Sequence, residues 1–410
     1  MTDPAMALVS LLFFLMLPFA TAATTNSCLD CHGALDPPLR VTSEEFSANI
    51  HAEKGLTCAS CHGGDPTSAD EAMSAKAGFL GHIDRTQVPQ LCGKCHSDTA
   101  YMRQYNPSLR TDQLAQYPTS VHGQKLTKGD THVAVCTDCH GVHNIRAVSD
   151  SRSSVNPVNV ANTCSKCHAD AEYMKAYGIP TVQFAEYSKS VHHDAMVVRG
   201  DLSAPTCTTC HGNHGAAPPG VAAVKNVCST CHVYQWELFN SSPHKTAFES
   251  AGLPGCVTCH SNHAITQPDD QMVGGGKQAV CSNCHTDGDP GLKSAEEIHA
   301  QLQELDSRIA RSKQLLDRAA DSGMEVGQAQ LDLIQASDAL TKARVAVHSF
   351  QSAAVAKEIA PGLAISEKTY QAGLQALHER NRRRAGLSFS LVAIGTTLLG
   401  LRLVIKRIES

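Results

Sequence analysis

Nine times in 410 residues the chain runs Cys-x-x-Cys-His, and these nine copies use all 18 of its cysteines. The cysteine pairs are Cys28/Cys31, Cys58/Cys61, Cys92/Cys95, Cys136/Cys139, Cys164/Cys167, Cys207/Cys210, Cys228/Cys231, Cys256/Cys259 and Cys281/Cys284. The histidines that follow them are His32, His62, His96, His140, His168, His211, His232, His260 and His285. On a helical turn, residues three and four apart share a face, so two thiols and an imidazole converge on one side. That geometry suits a haem: two covalent bonds to the vinyl groups on one edge, and an imidazole below the iron as proximal ligand. Zinc sites also use Cys-x-x-Cys, but they combine two such pairs without demanding a histidine beside each. Nine of nine with that histidine, and no cysteine left over, argues against zinc. It argues equally against a disulfide framework, since a bridge across two residues is strained and nothing else is free to pair. The motifs predict nine c-type haems.

An iron with two protein ligands only exchanges electrons, whereas one with an open position can bind a substrate. The supply of further histidines therefore matters. After the first motif the chain falls into four repeats, at about 33–96, 97–168, 169–232 and 233–285, each with the same order of parts. A lone histidine comes first (His51, His122, His192 or His244), then a motif, then a second lone histidine (His82, His143, His214 or His263), then the closing motif. In the last three repeats the second lone histidine stands three residues after the motif histidine, as in His140-Gly-Val-His143. Recurrence in register marks these eight as distal ligands, and paired histidines generally give lower potentials than His/Met. One iron remains, with His132, His193, His299 and His348 as candidates.

The elements that must hold these groups are short. Aromatics make up 5% of the chain, with a single tryptophan, Trp236, so something other than aromatic side chains fills the interior between residues 28 and 285. Linkers there are rich in Gly, Pro, Ser, Asn and Asp, and no long helical or alternating pattern develops before residue 290. The stretch reads as helical turns and loops wrapped around haems, with about 29 residues for each, close enough for neighbours to touch. Tyr101, Tyr105 and Tyr117 align with Tyr173, Tyr177 and Tyr187 and are expected to pack against haem faces rather than to carry redox chemistry. The net charge of −5 excludes a strongly basic nucleic-acid binder.

Beyond residue 290 the pattern changes. Ile298, Leu302, Leu305, Ile309, Ser312, Leu316 and Ala319 alternate at four and three, the spacing of a coiled-coil seam. Ser322-Gly323 breaks it, and Leu333, Ala336, Leu340, Ala343 and Val347 form a second seam. The two predict an antiparallel helical hairpin over 294–350. His299 lies 24 residues before Gly323 and His348 lies 25 after it, so the hairpin carries both to one end, facing the haems. A third helix is expected from about Ser366, linking 364–384 to an apolar segment at 385–405, long enough for one transmembrane helix. Arg380, Arg382, Arg383 and Arg384 outnumber Arg402, Lys406 and Arg407 across it. A positive-inside count would thus place the haem side in the cytoplasm; export of a large domain overrides it. An interfacial helix is the alternative. At the other end, Met6 to Ala20 and the Ala20-Thr21-Ala22 site read as a signal peptide over 1–22, although Asp3 stands where a basic residue is usual.

The text Ser-Val-His122-Gly with Cys136-Thr-Asp-Cys-His140-Gly-Val-His143, and Ser-Val-His192 with Cys207-Thr-Thr-Cys-His211-Gly-Asn-His214, resembles the superfamily of cytochrome c554, hydroxylamine oxidoreductase and pentahaem nitrite reductase. The resemblance covers residues 28–285 and implies paired haems in alternating stacked and angled contacts. The C-terminal hairpin is similar to the long helices that end the nitrite reductases, where a helix-borne histidine ligates a haem; Val347-His348-Ser349-Phe350 stands in the matching place, which favours His348 over His299 as the ninth distal ligand. Those reductases carry one motif ending in Lys at an open catalytic iron, whereas all nine motifs here end in His. No Arg-Tyr-His constellation of theirs is recognisable.

The sequence therefore predicts a mainly α fold with extensive coil: a multihaem cytochrome c domain over 23–290 with little strand, the helical hairpin, and a C-terminal transmembrane helix. It predicts a periplasmic, membrane-anchored electron carrier with no catalytic residues of its own. Its expected partners are redox proteins, a quinol-oxidising membrane subunit among them. The alternative is a reductase of nitrite, hydroxylamine or tetrathionate at one open haem. A filament of stacked subunits is disfavoured by the anchor.

Overall fold

A computed structural model describes residues 26–218 and 223–409; the expected signal segment at 1–22 lies outside the described residues. Among the described residues there is no strand, only helices, single turns and loops, in line with the mainly α reading. The chain divides into two compact units, one running to residue 163 and including 214–216, the other holding the remainder.

In the haem-motif region each lone histidine of the first kind opens a short helix behind a capping residue. Asn49 precedes Ile50–Glu53, Ser120 precedes Val121–Thr127, Ser190 precedes Val191–His193, and Ser242 precedes Pro243–Ala251. Asn49 accepts from His51 N, Ser120 from Gly123 N and Ser190 from His193 N. A side-chain oxygen here satisfies a backbone donor that the first turn leaves unpaired. Asn49 and Ser190 are buried, so these caps fix the helix starts inside the structure; Ser242 is buried too, but its Oγ donates to Phe239 O (2.7 Å). Seven of the nine motifs close on an α-helical turn, while Cys228 and Cys281 lie on 3-10 turns.

The second unit ends in three long helices, α1 (Pro290–Asp321), α2 (Gly327–Ala346) and α3 (Ser352–Glu409). Asp289 caps α1 through Gly291 N, with Pro290 at the first position, where its missing N–H costs nothing. The expected seams are the core: Leu302, Leu305, Leu316, Ala319, Ala336 and Ala343 are fully buried. The hairpin does not stand alone, however. α3 begins at Ser352, some fourteen residues before the expected Ser366, and packs along both other helices. Pro361 lies inside it. Proline removes one backbone donor and normally ends a helix, but Val355 and Ile359 are buried against the hairpin and hold the helix across that point. Small residues make the close approach possible: Gly362, Ser366, Thr369 and Gly373 are buried at helical spacing. A Cβ on Gly362 would stand 2.8 Å from Leu305 Cδ2 and 3.0 Å from Ala339 Cβ. Ser312 Oγ donates to Ser366 O across the same seam (2.8 Å).

At the hairpin apex Arg380 Nη1 donates to Ser322 Oγ (3.0 Å), and α3 then continues past the bundle. From Ala385 onward its side chains are exposed on every face, and α3 is a candidate membrane span, with an 18-residue window of mean hydropathy 1.8. Replacing Leu305 by Ala should lower the stability of the three-helix bundle by about 2–5 kcal/mol, read as an earlier denaturant midpoint in far-ultraviolet circular dichroism. An unchanged midpoint would contradict the buried seam.

Candidate metal centres

Seven motif histidines face a second histidine across a constant gap. The ring centroids are 6.0 Å apart for His51 and His96, 6.2 Å for His62 and His143, and 6.2 Å for His140 and His214. They are 6.4 Å apart for His192 and His232, 6.0 Å for His211 and His263, 5.9 Å for His244 and His285, and 6.1 Å for His260 and His348. Two metal–imidazole bonds of about 2.0 Å end to end, with about 1.1 Å from each nitrogen to its ring centre, sum to about 6.2 Å. The gap is thus the width of one metal ion with an imidazole on either side. Among the described residues no three His, Cys, Asp or Glu side chains converge into a cage. Opposed imidazoles beside two thiols are the donor set for an iron whose other four positions belong to a porphyrin, so the residues fit a c-type haem.

The pairing follows a rule that spacing alone did not reveal. A closing motif meets the first lone histidine of its own repeat, as in His51/His96, His192/His232 and His244/His285. An opening motif meets the second lone histidine of the next repeat, as in His62/His143, His140/His214 and His211/His263. The last opening motif has no following repeat, and His348, at the corner between α2 and α3, stands in its place.

Backbone contacts register the repeats. Ile50 N donates to Ile145 O (2.7 Å) and Val191 N to Ile265 O (2.9 Å), joining the helix of a first lone histidine to the strap of a second. Asn49 Nδ2 adds a bond to His143 O (3.1 Å). Tyr117 OH donates to Ala134 O (2.7 Å) and Tyr187 OH to Pro205 O (3.0 Å), each two residues before a motif. These two tyrosines are ties between backbone segments. Tyr101 and Tyr105 pack edge to face with centroids 5.3 Å apart. Arg85 reaches Asp138 inside the fourth motif through both carboxylate oxygens (3.1 and 2.6 Å) and also donates to Thr131 O and Val133 O.

Several rings are aimed by their Nδ1, which leaves Nε2 to point inward. His32 Nδ1–H donates to Leu39 O (2.8 Å), His348 Nδ1–H to Val345 O (2.9 Å) and His285 Nδ1–H to Asp289 Oδ2 (2.9 Å). Asp289 is also the α1 cap, so the last motif rests on the bundle. Burial favours the neutral, ligand-competent imidazole. It pushes His140 down to about 4, with repulsion from His214 adding to it, and lowers His51, His62, His96, His211, His260 and His348 by the same cause.

Consecutive motifs lie side by side. Cys28 lies beside Cys58, Cys92 beside Cys136, Cys164 beside Cys207 and Cys228 beside Cys256. The second thiols continue the series. Cys61 feels the charge of Cys95; burial pushes Cys210 and Cys259 up to about 11, with Cys228 and Cys281 next among the causes. In each unit the motifs therefore follow one another in space as they do in sequence.

The second cysteines of the motifs differ in setting. No two of the eighteen cysteines form a disulfide. Cys167 is half-buried on the helix Pro157–His168, next to His168. Cys31, Cys61, Cys231 and Cys284 are exposed instead. At Cys231 and Cys284 the expected α-helical turn is also replaced. Val224–Thr230 and Cys281–Asn283 are 3-10 turns that end just before these two residues. A short turn with few i→i+4 bonds to continue it tightens toward i→i+3 bonding. Cys231 N accordingly donates to Cys228 O (3.3 Å) and Cys284 N to Cys281 O (3.2 Å). His232 N and His285 N reach back to the same two carbonyls (2.9 and 3.0 Å), so each motif still curls over one turn.

The remaining histidines are placed differently. His299 donates from Nδ1 to Asp270 O (2.7 Å), His193 packs edge-on to Tyr187 at 5.4 Å, and His132 is 80% exposed beside Asp130. His122 and His168 lie in different units, on Val121–Thr127 and at the end of Pro157–His168. His82, expected as a distal ligand, is 86% exposed, and among the described residues no ring is paired with His32.

Residues 50–169 match the family model described as cytochrome c3, and residues 249–290 match the doubled CXXCH motif. With the motifs, these matches support a multihaem c-type cytochrome. No curated protein and no solved structure matches the chain. Tyr117→Phe and Tyr187→Phe should each cost about 0.5–1.5 kcal/mol of stability through one lost hydrogen bond, with rates of haem reduction unchanged. A slowed reduction would give the tyrosine a redox role.

Proposed function

We propose that the chain is a membrane-anchored, periplasmic cytochrome with nine c-type haems that carries electrons between redox partners. The observation that carries this reading is the set of seven opposed imidazole pairs at 5.9–6.4 Å. When bound, the haems supply reversible one-electron exchange at iron. The chain's own residues set where that exchange occurs. Each Cys-x-x-Cys-His supplies two covalent anchors and the proximal imidazole. The distal imidazoles are His51, His143, His192, His214, His244, His263 and His348, and they close the irons they face to other ligands. Within each unit the close approach of successive motif cysteines keeps neighbouring sites within electron-transfer range.

Haem attachment to such motifs takes place outside the cytoplasm, which supports a periplasmic position for the haem-binding region, with 385–405 as anchor. α3 separates the two. From Ser352, beside His348, to Ala385 is 33 residues of one helix, or about 50 Å at 1.5 Å per residue. The bundle acts as a stalk, and a quinol-oxidising membrane partner must itself project a redox group to meet the haem sites. Kinship with the cytochrome c554, hydroxylamine oxidoreductase and nitrite reductase superfamily is supported by the Cys-His-Gly-x-His text at Cys139–His143 and Cys210–His214, and by the helix-borne His348.

Pyridine haemochrome assay and intact-mass measurement should return nine haems per chain; two cysteines left unmodified at any motif would break the reading there. His348→Ala should convert about one iron in nine from low spin to high spin in the electron paramagnetic resonance spectrum, while His299→Ala leaves the spectrum as it was. The reverse pattern would transfer the ligand role to His299.

A further inference from the structure

The first motif stands apart from the other opening motifs. By the pairing rule its iron would take its distal ligand from the second lone histidine of the next repeat, which is His82. The other members of that class stand three residues after a motif histidine, but His82 stands twenty residues after His62. The intervening loop is pinned rather than free. Gly64 N donates to Ala77 O (3.1 Å) and Leu80 N to His62 O (2.9 Å), while Ser27 N, beside the first motif, donates to Pro66 O (2.9 Å). Gly63 and Gly64 take φ of 70° and 81°, and a Cβ on either would collide with the backbone of Gly78 or Ala72. On the other side Arg85 is fixed to Asp138 and to Thr131 O. His82 thus sits between two anchored points, 86% exposed, and its Nε2 lies 3.4 Å from Asp84 Oδ1. That is the nitrogen that His32, His285 and His348 leave uncommitted by engaging Nδ1.

We infer that the haem position at Cys28, Cys31 and His32 keeps its distal side open to small external ligands that donate a lone pair from carbon or nitrogen. Cyanide, carbon monoxide and nitrite are of this class. His32 remains aimed for the proximal role, with Nδ1–H on Leu39 O and its own carbonyl accepting from Val41 N (3.2 Å). This site rests on the haem reading above, and it adds ligand binding to electron carriage.

The test uses the full-length, haem-loaded protein with cyanide as probe. Peptide mass spectrometry first establishes whether Cys28 and Cys31 carry haem; unmodified cysteines there would remove the haem reading for this motif, and the open site with it. With haem in place, the oxidised protein should show high-spin iron equal to about one iron per chain, converted to low spin by cyanide. His82→Ala should leave that signal and the cyanide response unchanged. Cys28→Ala/Cys31→Ala should abolish both and reduce the haem count by one. Should that variant fail to fold, His32→Lys keeps the covalent attachment and should shift the high-spin signal. Wholly low-spin protein, or high-spin iron that appears only in His82→Ala, would overturn the inference. So would a signal that survives loss of the first haem or is unmoved by His32→Lys.

Discussion

The haem-motif region among the described residues is organised around pairs of imidazole rings held about 6 Å apart, the gap that one iron would fill. The chain has little else with which to build an interior there. The large side chains that are fully buried, among them Leu302, Leu305, Leu316 and Val355, belong to the C-terminal bundle. In the haem-motif region the buried apolar residues are scattered and mostly small, such as Val133, Val135, Ala161 and Ala204. Under the proposed function, covalent anchors and metal–imidazole bonds would take the role that a hydrophobic core has elsewhere. The backbone's task is to aim the rings, through buried caps such as Asn49 and Ser190 and through Nδ1 bonds such as that of His285 to Asp289.

The crossed pairing has a mechanical consequence. An opening motif takes its second imidazole from the following repeat, so each repeat is completed only when the next one is in place. The backbone bonds Ile50–Ile145 and Val191–Ile265 recur at equivalent positions for that reason. At the C-terminal end of the series His348 supplies the missing partner from the bundle, and Asp289 joins the last motif to the start of α1. The bundle thus terminates the repeat array, spaces it from the apolar end of α3, and is stable through its own packed seam.

Much of this was legible in the sequence, because covalent chemistry imposes strict spacing. The nine Cys-x-x-Cys-His motifs, the repeats and the candidate histidines could be read directly, and hairpin length placed His348 at the end of the bundle where it faces His260. Who pairs with whom was not legible, since it depends on which loops fold back onto which repeat. His82 shows the limit: its order in the repeat marked it as a ligand, yet a pinned loop and Asp84 turn it outward. The tight 3-10 turns that lead into Cys231 and Cys284 were hidden for a related reason, because identical motif spacing does not report how far a helix continues around it. The start of α3 was missed on other grounds. Pro361 reads locally as a stop, and only packing of Val355, Ile359 and Gly362 against two other helices overrides it. Asn49, Ser120 and Ser190, each two residues before a first lone histidine, were a signal present in the text; their role as helix caps became clear only with the structure.

The most direct test of the paired-imidazole account is near-infrared magnetic circular dichroism of the fully oxidised protein, which distinguishes axial ligand pairs by their charge-transfer bands. The account predicts a dominant bis-imidazole band with an intensity equal to at least seven irons per chain, the number of ring pairs seen. A dominant His/Met band, or a bis-imidazole band equal to only a few irons, would contradict it.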